Sequence, residues 1–128
     1  MAKVVCIANQ KGGVGKTTTA VNLSASLGVF EKPTLLVDCD PQANATSGLG
    51  IDKASLTCTL YDGLLGRMDA ESLLLDSAIA ALKVIPSNVQ LIGFEVEMMS
   101  DPDREKALKG LLAPRADGFE YIIPNCPP

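Results

Sequence analysis

The sequence has 128 residues, of which 47% are hydrophobic, and it carries a formal net charge of −4 with a pI near 4.7. This length and hydrophobicity indicate one globular domain with a modest core, and they exclude a disordered chain. The acidic balance argues against a broad basic surface for nucleic acid.

The sequence gives no support for a membrane-spanning protein or for a zinc site. No apolar run approaches the roughly 18 residues that span a bilayer, and the N-terminus has no secretory signal pattern. We therefore expect a cytoplasmic protein without a membrane partner. The four cysteines, Cys6, Cys39, Cys58 and Cys126, form no C-x-x-C pair and the chain has no histidine. They are interpreted as small apolar residues in a reducing compartment, not as a zinc site.

The first predicted elements are a strand at residues 3–8 and a helix that ends at about residue 29. The strand is a continuous β-branched run of the kind that parallel sheets bury on both faces. Between strand and helix, residues 9–19 read NQKGGVGKTTT. A glycine-rich turn between a strand and a helix is the context of a phosphate-binding loop, in which backbone N–H groups and the helix dipole face one anion.

The residues predicted to hold a nucleotide are consecutive in this loop. They are Gly12, Gly13, Val14, Gly15, Lys16, Thr17 and Thr18. Lys16 supplies a point charge for the outer phosphates, and the Thr17 hydroxyl is placed to bind Mg²⁺. Gln10 stands where the usual pattern has its first glycine, and a second lysine, Lys11, lies at the mouth of the loop.

The second predicted strand, Thr34–Asp38, ends in two carboxylates, Asp38 and Asp40. In an open α/β sheet, ligands lie beyond the carboxyl ends of the strands, so we expect both beside the phosphate loop. One can support the metal and the other can orient or deprotonate an attacking water. A different interpretation is that residues 38–41 form only a polar turn after a strand.

The rest of the chain predicts further elements in alternation. Residues 42–50 are small and polar and predict a loop with one helical turn. Helices are expected at residues 60–65 (with Thr59 as N-cap), in part of 71–82, at about 89–98 and at 101–112. Short apolar strands are expected at residues 83–86 and 120–123. Lys106, Lys109 and Arg115 are interpreted as a solvated face, with DNA contact as the alternative.

The loop and the segment LLVDCDPQANATSGLG at residues 35–50 resemble the ParA/Soj/MinD group of ATPases, with its deviant phosphate loop, and the partitioning branch is the most similar. The resemblance extends over essentially the whole chain. It implies that Lys11 reaches the nucleotide of a second subunit, so that ATP joins two protomers. It also implies that Asp40 activates water, that Asp38 supports the metal region, and that residues 42–50 form a nucleotide-dependent switch.

The last strand departs from that family. The family has an aspartate before Cys-Pro-Pro, whereas this chain has Pro124 and Asn125. Proline is poorly tolerated in a central strand, and Asn125 lowers the negative charge available to Mg²⁺. The resemblance further implies a full domain about twice as long. We therefore expect residues 1–128 to be one truncated domain whose exposed sheet edge or face leads to association or to marginal stability.

The predicted fold class is α/β, a P-loop NTPase-like domain with a mainly parallel sheet and flanking helices. The predicted function is that of a ParA/Soj-type ATPase that binds ATP and Mg²⁺, dimerises with ATP and serves chromosome or plasmid partitioning. DNA and an activator protein are partners by resemblance only. One alternative is a truncated nucleotide-binding module without effective hydrolysis that pairs with a full-length relative. Another is an iron–sulfur reductase relative, although no pair of cluster cysteines is present.

Overall fold

A computed structural model describes residues 2–5, 15–92 and 103–125 of the chain. Within these ranges a mainly parallel sheet is covered by helices on both faces, which confirms the predicted α/β class. No helix in these ranges is long and apolar enough to cross a membrane.

The described residues form a five-stranded sheet in the order β1-β5-β2-β4-β3. The strands are β1 Lys3–Val4, β2 Thr34–Asp38, β3 Leu75–Asp76, β4 Leu82–Ile85 and β5 Tyr121–Asn125. All neighbouring pairs are parallel except β3 with β4. The central strand β2 and its two neighbours, β5 and β4, therefore point their carboxyl ends toward the same edge of the sheet.

The helices follow the predicted positions closely. They are α1 Lys16–Val29, α2 Asn44–Gly48, α3 Leu60–Leu64, α4 Ala70–Leu73 and α5 Asp103–Leu112, with 3-10 helices at Lys53–Ser55 and Ala113–Gly118. Thr59 is the N-cap of α3, as predicted, and its backbone N–H donates to the Asp62 carboxylate at 3.0 Å. Of the helix expected at 89–98, residues 91–92 are helical and 93–98 lie outside the described residues.

Residues 71–82 were predicted to be helical in part, and they are helical as far as Leu73. After α4, the chain forms β3, which pairs antiparallel with β4. Ser77 explains the change, because its hydroxyl bonds to the backbone of Ile79 and donates to the Leu82 carbonyl at 2.8 Å. Such local side-chain bonds offer the backbone an alternative to a helix.

Strand β1 was expected to be buried on both faces, and its described residues are not. Val4 is 61% exposed, and β1 pairs only with β5 among the described residues. Residues 6–8 of the predicted strand lie outside the described ranges. In the part of the chain that the structure covers, β1 is thus an edge strand, with one row of backbone groups open to another chain.

Pro124 is a full member of β5, contrary to the expectation that it would break a central strand. Tyr121 donates to the Pro33 carbonyl at 3.2 Å, and Cys39 donates to the Asn125 carbonyl at 2.9 Å. Since N–H groups alternate sides along a strand, odd-numbered residues of β5 face β2 and the N of Pro124 faces β1. The missing donor therefore leaves the β5–β2 ladder intact.

The core consists of two layers, one on each face of the sheet. Leu35 and Val37 of β2 pack with α3, α4 and α5, whereas Leu36 packs with α1 and α2. This alternation follows from the two-residue period of a strand. Every residue of β2 is buried, so this strand is the central support for the groups at its carboxyl end.

Two glycines in different helices provide a matched test of this packing. A Cβ on Gly63 would lie 2.5 Å from Leu73 Cδ1 and 2.8 Å from Leu111 Cδ2, whereas nothing lies within 4 Å of one on Gly110. We expect Gly63→Ala to lower the free energy of unfolding by about 1–3 kcal/mol through overpacking. Gly110→Ala should raise it by about 0.5–1 kcal/mol, because alanine favours a helix interior. Urea unfolding of both variants measures the difference, and equal effects would refute this packing.

Candidate functional site

The carboxyl edge of the sheet brings the predicted aspartates next to the start of α1. Asp38 ends β2 and is in register with Asn125, which ends β5. Thr17, in the first turn of α1, lies beside Asn125. This edge therefore gathers residues from three separate parts of the sequence, as expected for a ligand site in an open α/β sheet.

Helix α1 begins directly after a glycine in the left-handed conformation. Gly15 has φ 71° and ψ 1° and is the N-cap, and its carbonyl accepts from the Thr19 N–H at 2.8 Å. Glycine adopts this conformation without the penalty of a side chain. The N–H groups of the first helical turn have no partner within the helix, so they give this end a partial positive charge that favours an anion.

The predicted loop residues divide between described and undescribed parts of the chain. Lys11, Gly12, Gly13 and Val14 lie outside the described residues. Lys16 is the first residue of α1, and Thr18 is exposed in its first turn. The structure thus shows how the loop enters its helix.

The Asn125 side chain lies beside Thr17 and carries an oxygen without a hydrogen-bond partner among the described residues. The side chain is 1% exposed, its Nδ2 lies 3.5 Å from Thr17 Oγ1, and its Oδ1 has no hydrogen-bond partner among the described residues. A buried acceptor without a partner costs about 1–3 kcal/mol. Hydroxyl and amide oxygens are hard ligands of the type that Mg²⁺ or its water shell accepts. The donor set at this position therefore fits a magnesium ion.

Asp38 is fully buried, and both of its carboxylate oxygens accept hydrogen bonds. Oδ2 accepts from the Thr46 N–H at 2.8 Å and from the Thr46 hydroxyl at 2.6 Å, and Oδ1 accepts from the Asp40 N–H at 3.1 Å. Burial raises the pKa of Asp38 above its usual 3.8, and the hydrogen bonds from Thr46 and Asp40 offset part of that rise. The structure brings Asp38 to the predicted edge, where its two oxygens accept three hydrogen bonds from the protein.

The raised pKa of Asp38 predicts a pH dependence of stability. Above about pH 3.8 the unfolded chain releases this proton while the folded protein retains it, so the free energy of unfolding falls as pH rises toward the raised pKa. Urea unfolding in EDTA between pH 4 and 7 can compare wild type with Asp38→Asn. The difference, wild type minus variant, should decrease with rising pH, and a constant or increasing difference would contradict the assignment.

Asp40 lies half-buried at the rim of the same edge. Its Oδ1 accepts from the Gln42 N–H at 3.0 Å, and its Oδ2 accepts from Asn44 Nδ2 at 2.9 Å. These are turn contacts, as the polar-turn interpretation requires. They also fix the direction of a carboxylate that stays partly accessible, so the turn does not exclude a role toward a ligand.

Two residues at this edge, Thr46 and Ser87, were not singled out as site residues from the sequence, although Thr46 lies in the segment 42–50 that the resemblance implies is a switch. Thr46 contacts Asp38, and its hydroxyl accepts from the Ser87 N–H at 3.3 Å. Ser87 follows β4 and is fully buried. A threonine eight residues after an aspartate and a serine 41 residues further on carry no local pattern, so only the fold reveals these contacts.

Comparison with known proteins agrees with this geometry. Residues 2–128 match the family model described as "AAA domain". The chain is 48% identical over 128 residues to the chromosome partitioning protein ParA of Myxococcus xanthus, and 48% identical over 128 residues to the sporulation initiation inhibitor protein Soj of Bacillus subtilis. These matches cover 100% of this chain but 45% and 51% of the relatives.

A solved structure shares the fold. The cobyrinic acid a,c-diamide synthase of Mycobacterium smegmatis, with bound ATP analogue and magnesium, matches with a TM-score of 0.89 and 36% identity. The match covers 98% of this chain and 51% of that one. The chain thus spans about half the length of the relatives that it matches.

Proposed function

The chain belongs to the AAA domain family and is of the ParA/Soj type, with a P-loop fold, and on this premise we propose that it is a Mg·ATP-binding partitioning ATPase. ATP is bound between the loop and the carboxyl edge of the sheet. ATP binding joins two protomers, and hydrolysis separates them, in the positioning of chromosome or plasmid DNA.

The observation that supports this proposal best is the junction of loop, helix and sheet. Gly15 turns the chain into α1, and Thr17 in the first turn lies beside the Asn125 amide, whose nitrogen is 3.5 Å from the Thr17 hydroxyl and whose buried oxygen has no partner among the described residues. A helix N-terminus beside a buried amide that has an unsatisfied oxygen, at the edge of a parallel sheet, is suited to a phosphate and its metal ion. The fold of a relative with bound ATP analogue and magnesium adds independent support.

We propose separate roles for residues of this chain in binding phosphate, binding the metal ion and activating water. Backbone N–H groups of Gly12, Gly13, Val14, Gly15, Lys16, Thr17 and Thr18 surround the phosphates. The Lys16 ammonium neutralises their charge, while Thr17 and Asn125 hold Mg²⁺ or its water shell, which would balance charge on the transferred phosphoryl group. Asp40 orients the attacking water and accepts its proton. A metal role for Asp38 stays a prediction, and the hydrogen bonds that it accepts favour a role in positioning the segment that carries Asp40.

Lys11 is proposed to contact the nucleotide of the second protomer. A cation delivered by a partner can stabilise charge on a phosphoryl group that one chain alone leaves exposed. We expect the affinity of Lys11→Ala for Mg·ATP to stay within about threefold of wild type. The variant should, however, no longer form the dimer that ATP induces in wild type. Sedimentation with and without ATP measures this, with Lys109→Ala, an exposed lysine of α5, as the matched control. Equal ATP-dependent sedimentation of Lys11→Ala and wild type would exclude the role in trans.

DNA and an activating protein are proposed partners on the strength of the relatives named as partitioning proteins. The alternative of a nucleotide-binding module without hydrolysis is not favoured by these comparisons.

A further inference from the structure

A single buried carboxylate holds both ends of the segment at residues 40–46. Asp38 Oδ1 accepts from the N–H of Asp40, at the start of the segment. Its Oδ2 accepts from both the N–H and the hydroxyl of Thr46, at the end. Asp38 and Thr46 are both 0% exposed. Charge-assisted bonds of this kind are roughly twice as strong as neutral ones, and more so away from water.

Thr46 extends this connection to a second strand. Its hydroxyl donates to Asp38 Oδ2 at 2.6 Å and accepts from the Ser87 N–H at 3.3 Å. Ser87 follows β4, which neighbours β2 on the side away from β5. The hydroxyl therefore both donates and accepts, and it links the segment to the ends of two neighbouring strands.

The segment held in this way carries the Asp40 carboxylate and a backbone strain. Ala43 has φ 57°, a left-handed conformation, and it is buried. For a residue with a side chain this conformation costs about 1–2 kcal/mol and persists only where surrounding contacts impose it. Asp40 in turn is oriented by Gln42 and Asn44 within the same segment. The position of the Asp40 carboxylate thus depends on contacts that close the segment at both ends.

We propose that Asp38 and Thr46 are positioning residues, which hold residues 40–46 so that Asp40 faces the phosphate site. This inference rests on the proposed function for its catalytic consequence, but the structural part stands on the contacts alone. Asp38 contributes through the hydrogen bonds that it accepts, since both of its oxygens are engaged within the protein. Coordination of a metal ion by Asp38 is the alternative to this role.

Thr46→Val tests the proposal because valine keeps the shape of threonine and removes its hydroxyl. Phosphate release should show kcat lowered at least tenfold with KM for Mg·ATP within threefold. Thr46→Ser keeps the hydroxyl and should stay within threefold of wild type in both. Thr57→Val, at an exposed threonine, is the matched control. Thr46→Ala, which also lacks the hydroxyl, replaces the valine variant if that one does not fold.

Hydrogen exchange of the peptide covering residues 39–47 gives a readout that needs no turnover. Exchange should accelerate at least tenfold in Thr46→Val and stay near wild type in Thr46→Ser. Unchanged exchange in Thr46→Val, or equal acceleration in Thr46→Ser, would overturn the proposal. If wild type releases no more phosphate than Lys16→Ala, the proposed function fails, and the exchange result alone then decides the positioning claim.

The metal alternative is tested with Asp38→Asn and Mg²⁺-dependent binding of a fluorescent ATP analogue. The positioning role predicts that the Mg²⁺ concentration for half-maximal binding stays within twofold of wild type. A rise of fivefold or more in Asp38→Asn, with Thr46→Val unchanged, would identify Asp38 as a metal ligand and overturn the inference.

Discussion

Asp40→Ala is expected to lower the rate of phosphate release at saturating Mg·ATP by a factor of about 10²–10⁴, the usual contribution of a positioned general base. The carboxylate is held by Gln42 and Asn44 and remains half-buried at the edge where α1 begins. Alanine removes the group that orients the water and leaves the loop that binds phosphate. Nucleotide affinity should therefore stay within about threefold of wild type.

Phosphate release and equilibrium binding of ATP separate these two effects for Asp40→Ala. The matched control is Asp117→Ala, which removes an exposed carboxylate in the 3-10 helix before the amino end of β5, at the opposite edge of the sheet. The control should match wild type in both measurements. Normal turnover in Asp40→Ala would show that residues 38–41 act only as a polar turn, the interpretation that the sequence also allowed.

Asn125→Asp is expected to reduce the Mg²⁺ concentration for half-maximal ATP binding by about tenfold, which corresponds to about 1.4 kcal/mol. The substitution converts an uncharged oxygen ligand into a carboxylate beside Thr17, and Mg²⁺ prefers carboxylates. Because residue 125 is buried, the same carboxylate is unfavourable when no cation is present. In EDTA we therefore expect the free energy of unfolding to fall by about 3 kcal/mol.

The two effects of Asn125→Asp have opposite signs, which makes the test specific to the metal. In EDTA, thermal unfolding should show Asn125→Asp to be less stable than wild type. In Mg·ATP, the variant should recover that stability. Asn22→Asp adds the same charge on the exposed part of α1 and should do neither. An unchanged Mg²⁺ requirement in Asn125→Asp would show that residue 125 does not face the metal.

Local sequence patterns predicted the helix and the strands closest to the site. Strand β2 and helix α1 follow from an apolar run and from apolar residues at helical spacing, and their ends agree with the structure. Strand β3 was missed because two residues show no period and because it exists by pairing with β4. The tolerance for Pro124 was missed because it depends on which neighbour its nitrogen faces in the sheet.

The sequence predicted which kinds of residue form the site, but not all of the contacts between them. The phosphate loop before α1 and the position of Asp38 and Asp40 at the end of β2 indicated that these residues meet at the carboxyl edge of the sheet. Oδ2 of Asp38 accepts from Thr46, eight residues away in sequence, and the Thr46 hydroxyl in turn accepts from the Ser87 N–H. Such contacts depend on how α2 and β4 lie beside β2, which no local pattern encodes.

Equilibrium binding of ATP in the presence of Mg²⁺, measured for wild type and Lys16→Ala, is the most direct test that the loop before α1 binds a nucleotide. A phosphate loop that places Lys16 at the start of α1 predicts saturable binding by wild type and affinity at least tenfold weaker in the variant. Absence of binding to wild type, or equal affinity in the two proteins, would contradict a nucleotide site at this loop.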